Sequence, residues 1–190
     1  MKTRFFTGKG DGGKSFIGGK KISKTNPLFE LLGSLDELDS WLGLTKVEAE
    51  KVFSKKRGKI DVARALENFQ NSLFIIQAVV SAIVFRTDKR EKELSRSKVR
   101  ELEQIIRQVD RVVPAINKFI IPGGSELPAR LDFARTLARR AEREAVKCHL
   151  RHKISLEILK FLNRLSSALF ALARYSNRAL GIQEKHPSYK

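Results

Sequence analysis

The chain has 190 residues, 42% of them hydrophobic, with 38 Lys and Arg against 21 Asp and Glu for a formal charge of +17. That length and apolar content suit one domain around one core; the lone Cys148 excludes an internal disulfide, and no apolar run approaches the ~20 residues of a membrane span. The charge attracts polyanions of any kind, whether nucleic acid, anionic lipid or nucleotide triphosphate, and does not choose among them.

The N-terminus, Met1-Lys2-Thr3-Arg4-Phe5-Phe6, lacks the continuous apolar core of a secretory signal, so a cytoplasmic protein is expected. Gly8-Lys9-Gly10-Asp11-Gly12-Gly13-Lys14-Ser15 then matches the Walker A pattern letter for letter. A P-loop needs a buried strand before it and a helix after it, so that backbone N–H groups and the helix dipole converge on the phosphates. Here little more than Phe5 and Phe6 precedes it, and Gly18-Gly19 break the chain directly afterwards. The stretch reads as a glycine-rich arm: either an anion-binding nest of backbone N–H groups or a flexible basic terminus.

From Pro27 to Pro114 there is no proline, and apolar residues recur at helical spacing. A first helix starts at Asn26-Pro27, a good N-cap followed by proline at the first helical position, and ends by Gly58. Leu28, Leu31, Leu32, Leu35, Leu38 and Leu42 form its apolar face. The second starts near Asp61 and alternates three and four residues through Leu66, Phe69, Leu73, Ile76, Val80 and Ile83, the seam of a left-handed bundle. The third, from about Ser97, carries Val99, Leu102, Ile105, Ile106, Val109 and Val113 and stops at Pro114. An apolar turn follows, Phe119-Ile120-Ile121-Pro122-Gly123-Gly124. Ser125 is the expected cap of the fourth helix, which tolerates Pro128 in its first turn and runs to about His149. The fifth spans Ser155 to Leu180, with Gly181 as its stop and Ile158, Phe161, Leu162, Leu165, Leu169 and Leu172 aligned. No strand-like alternation competes. The expected fold is all-α, one domain: an irregular arm over 1–25, an up-and-down five-helix bundle over 26–181 and a tail over 182–190. The basic runs Lys51 to Lys59 and Arg86 to Arg100 fall at helix junctions and read as solvated surface. With no recognisable module and no interleaved aromatics, nucleic acid is not the expected partner.

On the fourth helix Arg135, Arg139, Glu142 and Arg143 share one side. One carboxylate cannot neutralise three guanidiniums, so this face calls for an outside anion or for carboxylates from elsewhere in an assembly. A triphosphate suits it. On the fifth helix Asn163, Ser166, Ser167 and Phe170 follow i, i+3, i+4, i+7 spacing beside the apolar stripe, and the polar groups there require partners. Asp36, Glu37 and Asp39 on the first helix are candidates to pair with the arginines or simply to face water. Cys148-His149-x-x-His152 lacks a closed metal-ligand set.

In order along the chain stand Thr7-x-x-Gly10-Asp11-x-Gly13, Gly33-Ser34-Leu35-Asp36-Glu37-Leu38, Phe119-Ile120-Ile121-Pro122-Gly123-Gly124, Ala134-Arg135-Thr136 with Arg139-Arg140-Ala141-Glu142-Arg143, and Asn163-Arg164-Leu165-Ser166. Over nearly its whole length the chain resembles the PduO-type ATP:cob(I)alamin adenosyltransferases. The resemblance implies a homotrimer with ATP and corrinoid meeting at subunit interfaces, and transfer of the 5′-deoxyadenosyl group of ATP to cob(I)alamin cobalt, giving adenosylcobalamin and triphosphate. It implies that Thr7, Gly8, Lys9, Gly10, Asp11, Ser15 and Lys24 bind ATP together with Arg139, Arg140, Glu142, Arg143 and Asn163. It implies a corrinoid pocket of Phe119, Asp132, Ser166, Ser167 and Phe170, and catalytic roles for Phe119, which closes the lower corrin face, Arg139 and Asn163. Asp36 and Arg135 correspond to a pair that bridges neighbouring subunits. Mg²⁺ is expected on the triphosphate without a dedicated protein ligand set, and a cobalamin reductase and an adenosylcobalamin-dependent enzyme are the implied partners. The sequence departs from the family pattern at Lys9, Gly12, Lys14, Asp132 (usually His) and Ser167 (usually Asp). Those last two motivate a second reading, a non-catalytic ATP- or corrinoid-binding carrier or sensor. The charge motivates a third, a basic helical nucleic-acid binder.

Overall fold

The structure, a computed structural model, describes residues 5–17, 20–54, 58–85 and 93–189. The expected break at Gly18-Gly19 and the parts of the basic runs at 55–57 and 86–92 lie outside the described residues. Five helices make up the body: α1 (Pro27–Ser54), α2 (Val62–Phe85), α3 (Arg96–Asp110), α4 (Glu126–His152) and α5 (Leu156–Leu180). Before them β1 (Lys14–Ile17) and β2 (Lys20–Ser23) pair antiparallel, with Lys14 opposite Ser23 and Ile17 opposite Lys20. The arm is therefore not the irregular segment expected from sequence; its strands are too short for alternation to show against the basic composition.

Local chemistry sets most helix ends. Asn26 Oδ1 accepts from Leu28 N at 3.0 Å, and Asp61 Oδ1 from Arg64 N at 2.9 Å. The Oγ atoms of Ser95 and Ser155 accept from Ser97 N and Glu157 N, both at 3.2 Å. Gly181 takes the left-handed conformation (φ 73°) that ends α5. Three expectations need correction. Ser125 precedes α4 but makes no side-chain cap, and its Oγ is buried without a partner. Helix α4 continues to His152, where Lys153 adopts φ 50°. Helix α3 ends at Asp110, before Pro114, because the N–H groups of Val112 and Val113 both turn back to Val109 O at 2.9 Å.

Helix α4 packs against both α1 and α5, with α2 against α1 and α3 against α5. The predicted stripes meet there. Leu31, Leu35, Leu38 and Leu42 of α1 and Leu162, Leu165, Leu169 and Leu172 of α5 are fully buried. Each contributes roughly 1.5–3 kcal/mol of apolar burial. Residues that pack on α4 are small, Ala134, Ala138, Ala141 and Ala145, all inaccessible, which lets α1 and α5 approach the central helix closely. No helix among the described residues is long and apolar enough to cross a membrane.

Candidate functional site

With its alanines turned inward, α4 presents arginines outward. Arg139 and Arg143 are exposed; Arg135 is half-buried, and its Nε is out of reach of solvent with no hydrogen-bond partner. Among the described residues none of the three joins an ion pair. Arg143 Nη1 donates to Arg139 O at 3.2 Å. Arg140, about 100° round the helix from Arg139, turns to α1 and pairs with Glu37. Glu142 Oε1 accepts from Asn163 Nδ2 of α5 at 2.8 Å, Asn163 Oδ1 accepts from Arg164 Nη1 at 2.9 Å, and Arg164 Nε donates to Glu103 Oε1 of α3 at 3.2 Å. The one carboxylate on the arginine face is thus already engaged in tying helices together.

Beside this face opens a pocket of about 1010 Å³ whose walls are chemically unlike. One wall is mostly apolar, from Ile106 and Val109 of α3 and the 113–120 loop, with Asp110, Asn117 and Lys118 among them; the other carries Arg135 and Arg139, and α5 adds Ser166, Ser167, Phe170 and Arg174. Ser166 Oγ is spent on Asn163 O at 2.9 Å, whereas Ser167 is exposed. Phe119 stands 80% exposed at the mouth. This volume is at the upper end of ordinary ligand pockets and suits a large ligand with an extensive apolar face next to a polyanion. Four of the five residues expected in a corrinoid pocket line it: Phe119, Ser166, Ser167 and Phe170.

The fifth, Asp132, is not on the wall. It is 3% exposed and lies behind the pocket, where Oδ2 accepts from Arg174 Nη2 at 2.5 Å and from Gly123 N at 3.3 Å. Burial pushes its carboxyl up from the ordinary range, opposed by the Arg174 guanidinium and the Gly123 N–H. Arg174, 2% exposed, also lies 3.1 Å from Glu184 Oε1 and stacks its guanidinium 4.9 Å from the Phe170 ring centre. Sequence reasoning missed Arg174, which continues the i+3, i+4 series of Ser167 and Phe170 instead of the apolar stripe; once buried, its charge requires a partner.

The arm residues form a second, separate cluster. Gly8 and Gly13 adopt φ 69° and 71°, Asp11 N returns to Gly8 O and Gly13 N to Gly10 O at 3.3 Å, and Lys9 N reaches Thr7 Oγ1 at 3.4 Å. Lys24 Nζ would be 3.3 Å from a Cβ at Gly10, so the lysine lies over the turn. Strand β1 begins at Lys14, and the element after the glycines is a strand instead of a helix, so the Walker A context is missing. None of Thr7, Gly8, Lys9, Gly10, Asp11, Ser15 or Lys24 lines the pocket of its own chain. Cys148 is buried, with Sγ 3.3 Å from Pro27 O, and His149 Nδ1 lies 2.6 Å from Ile154 O, so both have structural partners.

The three candidate acids of α1, Asp36, Glu37 and Asp39, separate. Glu37 meets Arg140, Asp36 faces solvent, and Asp39 is buried with Oδ1 lacking a partner. Burial raises the Asp39 carboxyl, with Asp36 adding to the shift against a hydrogen bond from Gln70. A carboxyl raised by folding binds protons more tightly in the native state. Its ionisation therefore costs stability above the native pKa, and the cost disappears below the unfolded one. Asp39→Asn is expected to raise the melting temperature at neutral pH, with the gap narrowing as the pH falls into the carboxylate range; calorimetry across pH checks this.

A family model for cobalamin adenosyltransferase matches residues 5–176. A corrinoid adenosyltransferase of Bacillus subtilis is 34% identical over 179 residues, covering 94% of this chain and 89% of the relative. Corrinoid adenosyltransferase PduO of Citrobacter freundii is 35% identical over 170 residues, covering 89% of this chain but 48% of the relative, so the chain spans about half the length of that protein. A variant PduO-type ATP:corrinoid adenosyltransferase from Lactobacillus reuteri, solved with cobalamin and ATP, superposes with a TM-score of 0.85 at 31% identity, covering 98% of this chain and 97% of that one.

Proposed function

The chain belongs to the cobalamin adenosyltransferase family, and on that footing we propose that it transfers the 5′-deoxyadenosyl group of ATP to the cobalt of cob(I)alamin. The observation that carries this reading is Arg135 and Arg139, in no ion pair among the described residues, on one wall of a large, partly apolar pocket with Phe119 at its mouth. Cobalt(I) brings its own electron pair to C5′, the Co–C bond forms, and the C5′–O bond breaks with its electrons on the departing triphosphate. Cobalt ends as Co(III), and no outside oxidant is needed. The corrinoid is itself the nucleophile, so the protein aligns the two centres, excludes the lower axial ligand and neutralises the leaving group. Phe119 suits the second task and Arg139 the third. Asn163, held by Glu142 at 2.8 Å, suits orientation of the nucleotide.

Assembly as a homotrimer is part of the proposal. It is supported by the partnerless buried Nε of Arg135, by the exposed Asp36, and by the absence of the arm residues from their own pocket, which leaves Thr7 to Asp11, Ser15 and Lys24 free to reach a neighbour's ATP. Among the described residues no group of three or more His, Cys, Asp or Glu side chains could cage a metal. Mg²⁺ would arrive on the phosphates, with Glu142 as the nearby carboxylate, and the ion would screen triphosphate charge. A reductase that delivers cob(I)alamin, an enzyme that receives the product and a cytoplasmic setting complete the reading.

Anaerobic incubation with ATP, Mg²⁺ and chemically reduced cob(I)alamin tests it. The corrinoid spectrum is expected to convert to that of adenosylcobalamin as triphosphate is released in equal amount. ATP binding without conversion would instead favour a carrier or sensor. Asp36→Asn is expected to shift the sedimentation profile toward smaller species at low micromolar protein; an unchanged, fully active assembly would reject the bridging pair.

A further inference from the structure

Beyond Gly181 the chain doubles back, with Ile182 N bonded to Asn177 O at 2.9 Å. The residues that follow run alongside the Phe119 turn. Ile121 N donates to Lys185 O at 2.8 Å, and His186 Nδ1 donates to Phe119 O at 2.7 Å. Between these contacts Glu184 Oε1 lies 3.1 Å from Arg174 Nε and accepts from Asn177 Nδ2 at 2.9 Å. A guanidinium as buried as that of Arg174 demands anionic partners. Asp132 supplies one from inside the bundle; Glu184 brings the second from the tail. The turn is gripped on its other side too: Asn177 Nδ2 donates to Gly123 O at 3.1 Å, and a Cβ at Gly124 would collide with Asn177 Oδ1. Charge thus draws the tail onto the core, and the tail's polar groups then fix the turn at both Phe119 and Ile121. The Phe119 ring contributes little to its own placement, since it is 80% exposed.

Resting on the activity proposed above, we propose that Glu184 and His186 are positioning residues, which make segment 182–186 a strap that sets Phe119 at the pocket mouth and so governs the corrinoid without touching the nucleotide. The strap can be read with no substrate present, by hydrogen exchange of peptides covering residues 116–124 in the full chain. Glu184→Ala and His186→Ala are expected to speed exchange of this turn by about tenfold while α1 to α5 exchange as before. Glu184→Gln, which keeps the Asn177 bond and loses the charge, is expected to fall between. In turnover, the same variants are expected to raise KM for the corrinoid while KM for ATP stays put. Unchanged exchange of the turn in Glu184→Ala and His186→Ala would overturn the strap. Faster exchange with both KM values moving together, or neither moving, would overturn the positioning role. If the wild-type chain forms no adenosylcobalamin, the proposed activity fails, and the exchange measurement still decides the strap.

Discussion

Replacing Arg139 with alanine is expected to lower kcat/KM for ATP by about 10²–10³-fold, the usual loss when one aligned donor to developing negative charge is removed. Arg139 is exposed, pairs with no carboxylate among the described residues, and lines the pocket next to Arg135. Its removal therefore leaves no orphaned partner in the fold, and the melting temperature should hold. The bonds that its neighbours make elsewhere, Arg140 to Glu37 and Glu142 to Asn163, stay intact. Steady-state kinetics with ATP varied, alongside a thermal melt, separates the outcomes. A variant that keeps near wild-type kcat/KM would show that the arginine face is merely solvated and that triphosphate is neutralised elsewhere. Arg139→Lys should recover only part of the loss, because an ammonium restores the charge but not the planar fork of donors.

Arg174→Ala is expected to cost about 3–5 kcal/mol, the range for removing one member of a buried ion pair. For a chain of this size each kcal/mol moves the melting temperature by roughly 2–4 °C. Here the loss has three sources: Asp132 is left buried with only the Gly123 N–H, Glu184 loses its anchor, and a large side chain 2% exposed leaves a void against Phe170. Asp132→Asn should be milder, since Glu184 still balances the guanidinium. A double variant, Arg174→Met with Asp132→Asn, should recover part of the stability by emptying the hub of charge. If Arg174→Ala melts within about 2 °C of the parent, the ion-pair hub does not hold this end of the bundle.

The same hub explains the Asp132 substitution. Among departures from the family pattern, Asp132 looked like a change in the pocket itself and motivated the carrier or sensor reading. Its side chain is not on the pocket wall but neutralises Arg174, which is on that wall, so it bears on a ligand only through Arg174 and on the Phe119 turn through Gly123. Ser167, the other departure, does line the pocket and is exposed there.

Periodicity, caps and proline positions determined the five helices and where they start, though not every end, because a start rests on interactions within a few positions of chain: Asn26 with Leu28, Asp61 with Arg64, Ser155 with Glu157. The unbalanced arginines of α4 were visible the same way, as a surplus of charge on one helical face. The hairpin was not, since two four-residue strands carry too few positions for a pattern. Tertiary structure alone decided which charges meet. Glu37, Asp36 and Asp39 are equivalent candidates in sequence, yet the first pairs with Arg140, the second faces water and the third is buried. Likewise Asp132 of α4 meets Arg174 of α5 across 42 positions of chain, and Glu184 joins them from just past the end of α5, because helix packing removes the water that would otherwise solvate each of them. Helix formation is local and therefore written in neighbouring residues. Burial of charge is a property of the packed whole, and it is burial that converts scattered acids and bases into specific pairs.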